Sequence, residues 1–203
     1  MSGPERDRDA ARFAFTPENS RRAEAILARY PSGRQQSAII PLLDIAQRQN
    51  GGWLSRAAIE YVAAMVGMAP IRALEVATFY TMFNLKPVGR HMLQVCRTTP
   101  CWLRGSDDVT AACKRKLGIG LKETTPDGLF TLVEVECLGA CVNAPVVQIN
   151  DDLYEDLDPR RMEALIDALR RGEKPPHGSQ IGRQGSAPDG PWTSLIEPAA
   201  GKS

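Results

Sequence analysis

Four of the five cysteines in this chain fall into two close pairs. Cys96 and Cys101 form a C-x4-C pair, and Cys137 and Cys141 form a C-x3-C pair. Closely spaced thiolates serve in proteins as metal ligands, as redox-active thiols or as disulfide partners. We therefore expect the chemistry of this chain to lie at these four residues, provided that the fold brings the two pairs together.

Three kinds of site are compatible with four such thiolates. A structural zinc ion takes four sulfurs, but its usual pairs are spaced C-x2-C or close to it. Thioredoxin-type redox chemistry uses C-x-x-C, a spacing that neither pair has. A [2Fe–2S] cluster needs two ligands for each iron, and one pair can serve one iron, although the spacing is not that of plant-type ferredoxins. The pattern ranks the cluster first, zinc second and disulfide chemistry third.

A short strand-like run precedes each cysteine pair. The first is His91–Val95 (HMLQV) and the second is Phe130–Val135 (FTLVEV). Both have the alternation or the β-branched and aromatic content of strands. Each pair thus begins where a strand ends. We predict that the two cysteine loops lie at the same edge of one sheet.

The remaining elements of the second half predict a small mixed sheet covered by helices. A helix is expected over 106–117, and a strand over 145–149 turns into Leu153 and Tyr154 as a hairpin. The last helix has Asp158 as its cap and Pro159 in its first position. The order is β-α-β-β-α. Cys113 lies on the apolar stripe of the first helix, where a buried thiol acts as a small hydrophobe rather than a ligand.

The first half reads as a helical bundle over residues 16–88. Four helices are predicted from their capping residues and apolar periodicity, the first of them ending at about Arg29. Pro41 lies in the first turn of the second helix or kinks it. The bundle has no catalytic constellation, and its aromatic residues are interpreted as core or docking residues. The capping or first residues are Thr16, Ser37, Ser55 and Pro70, and the aromatic residues are Trp53, Tyr80 and Phe83.

The two ends of the chain lack the pattern of a packed core. Residues 1–15 are polar and are predicted to be disordered. Residues 173–203 are rich in Gly, Pro and Ser, which predicts an extended tail that is disordered alone or is an arm on a partner. Trp192, Leu195 and Ile196 would anchor such an arm.

Composition excludes several classes of function. The net charge is +1, with 25 basic and 24 acidic residues, so nothing favours nucleic-acid binding or attachment to a membrane surface. No apolar run is long enough to span a bilayer, and the N-terminus resembles neither a signal peptide nor a transit peptide. We expect the chain to reside in a reducing compartment, the cytosol, or to be an already processed form. There paired cysteines are metal ligands or redox thiols before they are disulfides.

The surroundings of the cysteines suit a cluster. Gly139 allows close approach of backbone, and Arg97 and Arg104 flank the first pair, either as cations near the cluster or as solvated surface residues. Leu138, Trp102 and Val142 are candidates to screen the site from water. No nucleotide-binding motif is present, and His91 and His177 lack a ligand context. An electron carrier without its own organic cofactor implies a partner that holds one.

These motifs give the chain a resemblance to a known family. It resembles the NuoE-type [2Fe–2S] subunits of respiratory complex I, NADH:ubiquinone oxidoreductase. The specific matches are 95–101 (VCRTTPC) and 134–145 (EVECLGACVNAP), followed by Asn150 and Asp151. Supporting matches are Tyr30-Pro31, 41–43 (PLL), 47–49 (QRQ), 76–83 (VATFYTMF) and 193–195 (TSL).

The resemblance implies an α/β fold in which an N-terminal helical bundle is followed by a thioredoxin-like domain with a mixed sheet. The implied organisation is a disordered stretch 1–15, a bundle 16–88, a [2Fe–2S] domain 89–172 and a tail 173–203. It also implies that Cys96, Cys101, Cys137 and Cys141 ligate the cluster. Cys113 matches no ligand of the family, and no catalytic residue is implied.

The resemblance further implies a place in a larger enzyme. The partners would be a flavoprotein subunit that binds NADH and FMN and a neighbouring iron–sulfur subunit, in an assembly that couples NADH oxidation by quinone to proton translocation. The subunit would be peripheral, on the cytoplasmic side of a bacterial inner membrane or on the matrix side of a mitochondrial one. One alternative is a diaphorase subunit of an NAD-linked hydrogenase or formate dehydrogenase. Another is a zinc-stabilised structural module.

Overall fold

The computed structural model describes residues 13–186. The chain divides between Arg90 and His91 into two compact units. Each unit has its own hydrophobic core. The two units are therefore described separately.

The first unit is helical. Thr16 Oγ1 accepts a hydrogen bond from Asn19 N at 3.3 Å, and Ser55 Oγ accepts one from Ala58 N at 3.1 Å, which confirms both predicted caps. Pro70 opens the last helix, as predicted. The helices are α1 (Pro17–Leu27), α2 (Ile39–Gln49), α3 (Arg56–Met65) and α4 (Pro70–Phe79).

The predicted cap at Ser37 is wrong. Ser37 lies inside a 3-10 helix, Gln35–Ala38, and α2 follows it with no side-chain cap. The 3-10 carbonyls take the place of a cap, since Ile39 N donates to Gln36 O. Pro41 lies in the first turn of α2 and not at a kink. Helix α1 ends at Leu27, two residues before the predicted end at Arg29.

The start of the chain was expected to be disordered through residue 15, and this is wrong for its last part. Phe15 is buried, and its ring packs edge-on against Tyr61 at 5.3 Å between centroids. Phe13 meets the same ring at 5.5 Å. Burying aromatic surface outweighs the polar character of the flanking sequence. Residues 1–12 lie outside the described part.

The second unit contains a six-stranded mixed sheet. Its strands are β1 (His91–Cys96), β2 (Glu123–Thr124), β3 (Phe130–Val135), β4 (Val147–Ile149), β5 (Asp152–Glu155) and β6 (Gly178–Ser179). Their order across the sheet is β2-β3-β1-β4-β5-β6. Pairs β1–β3 and β5–β6 are parallel, and the other three pairs are antiparallel. The mixed sheet and the β4–β5 hairpin are as predicted.

Helices α5 (Thr99–Leu103), α6 (Ser106–Leu117) and α7 (Pro159–Arg170) complete this unit. The Asp158 cap of α7 accepts from Arg161 N at 2.7 Å, as predicted. Helices α6 and α7 are also joined by an ion pair between Lys116 and Asp167 at 2.7 Å. The core between sheet and helices is made by Leu93, Val95, Val109, Cys113, Phe130, Leu132, Met162 and Ile166.

Part of the predicted tail belongs to the sheet. Strand β6 pairs with β5, so that Tyr154 lies opposite Gly178 and Glu155 opposite Ser179. The expectation that residues from 173 onward have no structure within this chain is therefore wrong for the stretch up to Ser186. Backbone pairing and polar contacts hold this stretch, and apolar periodicity does not reveal either. Trp192, Leu195 and Ile196 lie outside the described residues.

Within residues 13–186, no individual helix combines the length and the apolar character needed to cross a bilayer. Helices α3 and α4 reach that threshold only when taken together, and the chain bends by 118° between them.

The two serine positions give a matched test of the helix starts. Ser55→Ala removes a buried cap acceptor and should lower the free energy of unfolding of the first unit by about 0.5–2 kcal/mol. Ser37→Ala removes an exposed hydroxyl that caps nothing and should leave stability unchanged. Urea unfolding followed by far-UV circular dichroism checks both. Equal losses in the two variants would contradict the observed start of α2.

Candidate metal centre

The pairing of β1 with β3 brings the two cysteine pairs to one edge of the sheet. The strands are parallel, and Cys96, the last residue of β1, lies opposite Val135, the last residue of β3. Cys137 follows Val135 by two residues. Because parallel strands end at the same edge, both cysteine segments leave the sheet side by side, as the sequence predicted.

The first pair is buried. Cys96 and Cys101 are each 1% exposed. Cys101 was expected in a loop, but it lies in the short helix α5, with Pro100 near its start. Proline is favoured at such a position, since its fixed φ suits a helix and its missing N–H is not needed there. Sequence periodicity cannot show a helix of five residues.

The second pair is exposed to solvent. The sulfurs of Cys137 and Cys141 lie 3.4 Å apart, and Gly139 N donates to Cys137 Sγ at 3.4 Å. Gly139 has φ +82°, a left-handed conformation that glycine adopts without penalty. A Cβ at Gly139 would meet no atom within 4 Å, so this backbone conformation, rather than space, requires glycine. Cys141 begins a 3-10 helix, Cys141–Asn143.

Thr98 connects the two pairs. Its hydroxyl lies 3.4 Å from Cys96 Sγ and also contributes to lowering the pKa of Cys137. Leu138, in the second segment, packs against the buried cluster that contains Cys96, and its backbone contributes to lowering the pKa of Cys96. These contacts place the two segments against each other.

Each pair contains one thiol of lowered and one of raised pKa. Burial raises the pKa of Cys96, but hydrogen bonds from Thr98 and Leu138 outweigh burial and leave it lowered. For Cys101, burial and then the hydrogen bond with Cys96 raise the pKa to about 12. The Gly139 N–H lowers the pKa of Cys137, and the hydrogen bond with Cys137 raises that of Cys141. One sulfur of each pair is therefore the easier to ionise.

One side of the site is buried and apolar, and the other side is exposed to solvent. Cys96 and Cys101 form a buried apolar cluster with Ala140, Ala144 and Val146, against which Leu138 packs. Trp102 and Val142 were expected to screen the site, but they are 57% and 74% exposed. The predicted screening is wrong for these two residues. They leave apolar surface in solvent directly beside two of the cysteines.

Neither of the arginines that flank the first pair, Arg97 and Arg104, is buried. Arg104 is exposed, and Arg97 lies 4.0 Å from the carboxylate of Glu134. An exposed pair at this distance contributes little to stability. The positions of both agree with the interpretation of solvated surface residues.

The donor set fits a group that takes two ligands at each of two centres. All five cysteines are free thiols. Within residues 13–186, no three or more His, Cys, Asp or Glu side chains converge on a position for a single metal ion. Cys96, Cys101, Cys137 and Cys141 supply two thiols in each of two neighbouring segments, the number of ligands that a [2Fe–2S] cluster requires. Cys113 is fully buried in the α6 face of the core, and burial raises its pKa to about 12.

Several polar residues around the site were missed by the sequence interpretation. Thr98 follows Cys96 by two residues, a position from which a hydroxyl often bonds locally, so its role had a signal. Asn143, Glu155, Asp156 and Arg183 form a hydrogen-bonded network at the segment that follows Cys141. Arg183 contacts Asn143 across 40 positions of sequence, and no local pattern indicates such a contact.

Comparisons with known proteins agree with this geometry. The family model for thioredoxin-like [2Fe-2S] ferredoxins matches residues 23–170, which include both pairs. The chain is 66% identical over 158 residues to the NuoE subunit of the NADH-quinone oxidoreductase of Rickettsia bellii, covering 78% of this chain and 95% of that protein. It is 54% identical over 191 residues to the mitochondrial NADH dehydrogenase [ubiquinone] flavoprotein 2 of Dictyostelium discoideum, covering 93% of this chain and 76% of that protein.

A solved structure shares the fold. The chain aligns with an NAD+-reducing [NiFe]-hydrogenase in the air-oxidized state with a TM-score of 0.57 and 22% identity. The alignment covers 64% of this chain and only 23% of the hydrogenase chain. At this identity the likeness concerns the fold alone.

Thiol reactivity tests the arrangement without any metal. In metal-free protein, iodoacetamide should label Cys137 before the other cysteines, because its sulfur is exposed and its pKa lies below the ordinary 9.0. The labelling rate of Cys137 should level off at a lower pH than that of Cys141, whose pKa is raised. Peptide mass spectrometry over a pH series measures both. Labelling of buried Cys113 at a similar rate would contradict the fold around it.

Proposed function

Because the chain belongs to the family of thioredoxin-like [2Fe-2S] ferredoxins, we propose that it is the subunit of an NADH:quinone oxidoreductase that carries one [2Fe–2S] cluster. Membership confirms the resemblance noted in the sequence, including its thioredoxin-like fold. The observation that carries the proposal is the meeting of two cysteine pairs at one sheet edge inside the matched region. The subunit takes part in the enzyme's reaction and is not catalytic alone.

The proposed ligands are Cys96, Cys101, Cys137 and Cys141. When bound, a [2Fe–2S] cluster accepts and releases one electron at a time. The chain surrounds Cys96 and Cys101 with a buried apolar cluster. It also supplies hydrogen bonds from Thr98 to the sulfur of Cys96 and from Gly139 to the sulfur of Cys137. Hydrogen bonds to sulfur stabilise its negative charge and are one of the means by which proteins set reduction potentials.

The proposed partner is the flavoprotein subunit that holds FMN and NADH, with a further iron–sulfur subunit nearby. Support comes from the exposed side of the site, where Trp102, Leu103 and Val142 are 57%, 70% and 74% exposed. Apolar residues around a redox site suit a surface that a partner covers. We also propose a peripheral position in the complex, on the cytoplasmic side of a bacterial inner membrane or the matrix side of a mitochondrial one.

Two alternatives differ in what they predict. A diaphorase subunit of a hydrogenase or formate dehydrogenase would hold the same cluster but co-purify with other subunits. Relatives at 64–66% identity are NuoE subunits of NADH-quinone oxidoreductases, which favours the quinone enzyme. A zinc-stabilised module would contain zinc and no acid-labile sulfide.

Metal analysis of the wild type and two cysteine variants tests the ligand assignment. Anaerobically purified wild-type protein should hold about two irons and two sulfides per chain, with an S = 1/2 EPR signal after reduction by dithionite. Cys137→Ala should lose the iron and the signal, because metal binding and the integrity of the site are coupled. Zinc without sulfide in the wild type would overturn the proposal.

Cys113→Ala is the matched control. It removes a thiol that is buried in the core and is not a proposed ligand. The variant should therefore be less stable because of lost packing, and its EPR signal should remain intact. A bleached Cys113→Ala protein would mean that the ligand set is wrong.

A charge at the exposed edge tests the partner surface. Val142→Glu should leave the iron content and the EPR signal unchanged but reduce co-purification of the flavoprotein subunit by tenfold or more. The reason is that the new carboxylate would be buried in the interface without a counter-ion. Ala111→Glu, at an exposed position of α6, is the control and should assemble normally. Normal assembly of both variants would place the partner surface elsewhere.

A further inference from the structure

A polar network ties the C-terminal segment Gly178–Ser186, hereafter the strap, to the residues that follow Cys141. The strap begins as strand β6 on β5 and continues past the 3-10 helix Cys141–Asn143. Its polar atoms contact Glu155, the last residue of β5, and Asp156, the residue after it, which are 2% and 8% exposed. Buried carboxylates persist when their oxygens are hydrogen-bonded, and these oxygens are.

Arg183 is the central residue of this network. Its Nη2 donates to Val142 O at 3.2 Å, to Asp156 Oδ1 at 2.7 Å, and to Asn143 Oδ1. Its Nε donates to Asp156 Oδ2 at 3.2 Å. The guanidinium therefore bridges a carboxylate and the backbone of the residue next to Cys141. Only the planar fork of arginine makes these contacts together.

Asn143 holds the same loop from its other side. Its Nδ2 donates to Glu155 Oε2 at 2.7 Å and to Gln184 O at 2.8 Å. Its backbone carbonyl accepts from Asp156 N at 2.7 Å. Glu155 is bonded in turn by the backbone and the hydroxyl of Ser186. The strap thus closes over the 3-10 helix with its buried polar groups paired.

The backbone conformation of Asp156 indicates that the surrounding hydrogen bonds hold this residue in a particular geometry. Asp156 has φ +55°, in the left-handed region that residues other than glycine seldom occupy. Such a conformation persists where the surroundings hold it, and Ser179 Oγ donates to Asp156 Oδ2 at 2.6 Å. The carboxylate is aimed at Arg183 and the strap by this turn.

We propose that Arg183 is a positioning residue for the second cysteine pair. Through Val142 and Asn143 it fixes the segment that carries Cys141, and together with Asp156 it contributes to the charge around that segment. This inference rests on the proposed function, because the consequence of the position is stability and tuning of the bound cluster. A cluster held by four thiolates is anionic, and reduction adds negative charge, so nearby charges shift its potential in a direction fixed by their sign.

The experiment uses variants that separate charge from folding. Arg183→Met removes the cation and all its donors, while Asp156→Asn removes the anion and keeps an oxygen acceptor. Arg171→Met is the control, since Arg171 is exposed and pairs only locally, with Glu173 at 2.6 Å. In the full-length, cluster-loaded protein, midpoint potentials come from EPR-monitored redox titration and iron release is timed with a chelator.

The expected shifts have opposite signs. Arg183→Met should make the midpoint potential more negative and speed iron release several-fold, and Asp156→Asn should make the potential more positive. Arg171→Met should match the wild type in both. Opposite shifts cannot follow from a general loss of stability. If Arg183→Met does not fold, the positive shift of Asp156→Asn carries the test.

A second readout does not need the cluster. In metal-free protein, Arg183→Met should raise the iodoacetamide labelling rate of Cys141 several-fold, since its segment is released, whereas Arg171→Met should not. Wild-type protein without iron and sulfide would defeat the proposed function, and Cys141 labelling would still decide whether the strap positions the loop. Iron-containing wild type with unchanged potential, iron release and labelling in Arg183→Met would overturn the role of Arg183 alone.

Discussion

The site depends on the parallel pairing of β1 with β3. In their register Cys96 faces Val135 across the pair, and Arg97 N continues the ladder by donating to Val135 O at 3.1 Å. Fully buried Leu93 and Leu132 fix this register, since a slip by one residue would turn the core side chains of a strand to its other face. The same packing that stabilises the second unit therefore determines where both cysteine segments begin.

The two cysteine pairs share an edge but not an environment. Cys96 and Cys101 rest in an apolar cluster of this chain, whereas Cys137 and Cys141 face solvent beside exposed Val142. A redox group bound at the proposed site would have an apolar, buried side formed by this chain and a solvent-exposed side that a partner could cover. Burial of the whole site within one chain would block the approach of a partner, so the exposure of Cys137 and Cys141 fits the proposed role as one subunit of a larger enzyme.

The sequence predicted features that depend on neighbouring residues. The caps at Thr16, Ser55 and Asp158 and the bounds of α6 follow from local hydrogen bonding and apolar periodicity. Ser37 was misassigned, because a 3-10 helix before α2 removed the need for a cap. Helix α5 is too short for a periodic signal. The ligand assignment came from a family resemblance, since spacing alone left zinc and disulfide chemistry open.

The strap was missed for a different physical reason. It belongs to the stretch 173–203, which is rich in Gly, Pro and Ser and cannot bury enough apolar surface to pack as a core, and that criterion predicts disorder. Hydrogen bonds to charged groups, each worth about 1.5–3 kcal/mol, can order such a segment when a neighbouring element offers buried carboxylates. Glu155 and Asp156 do so here. Apolar contacts can substitute for one another, but the hydrogen bonds to Asn143 and Val142 each depend on particular atoms. The position of the segment that carries Cys141 is therefore sensitive to the loss of any one of these bonds.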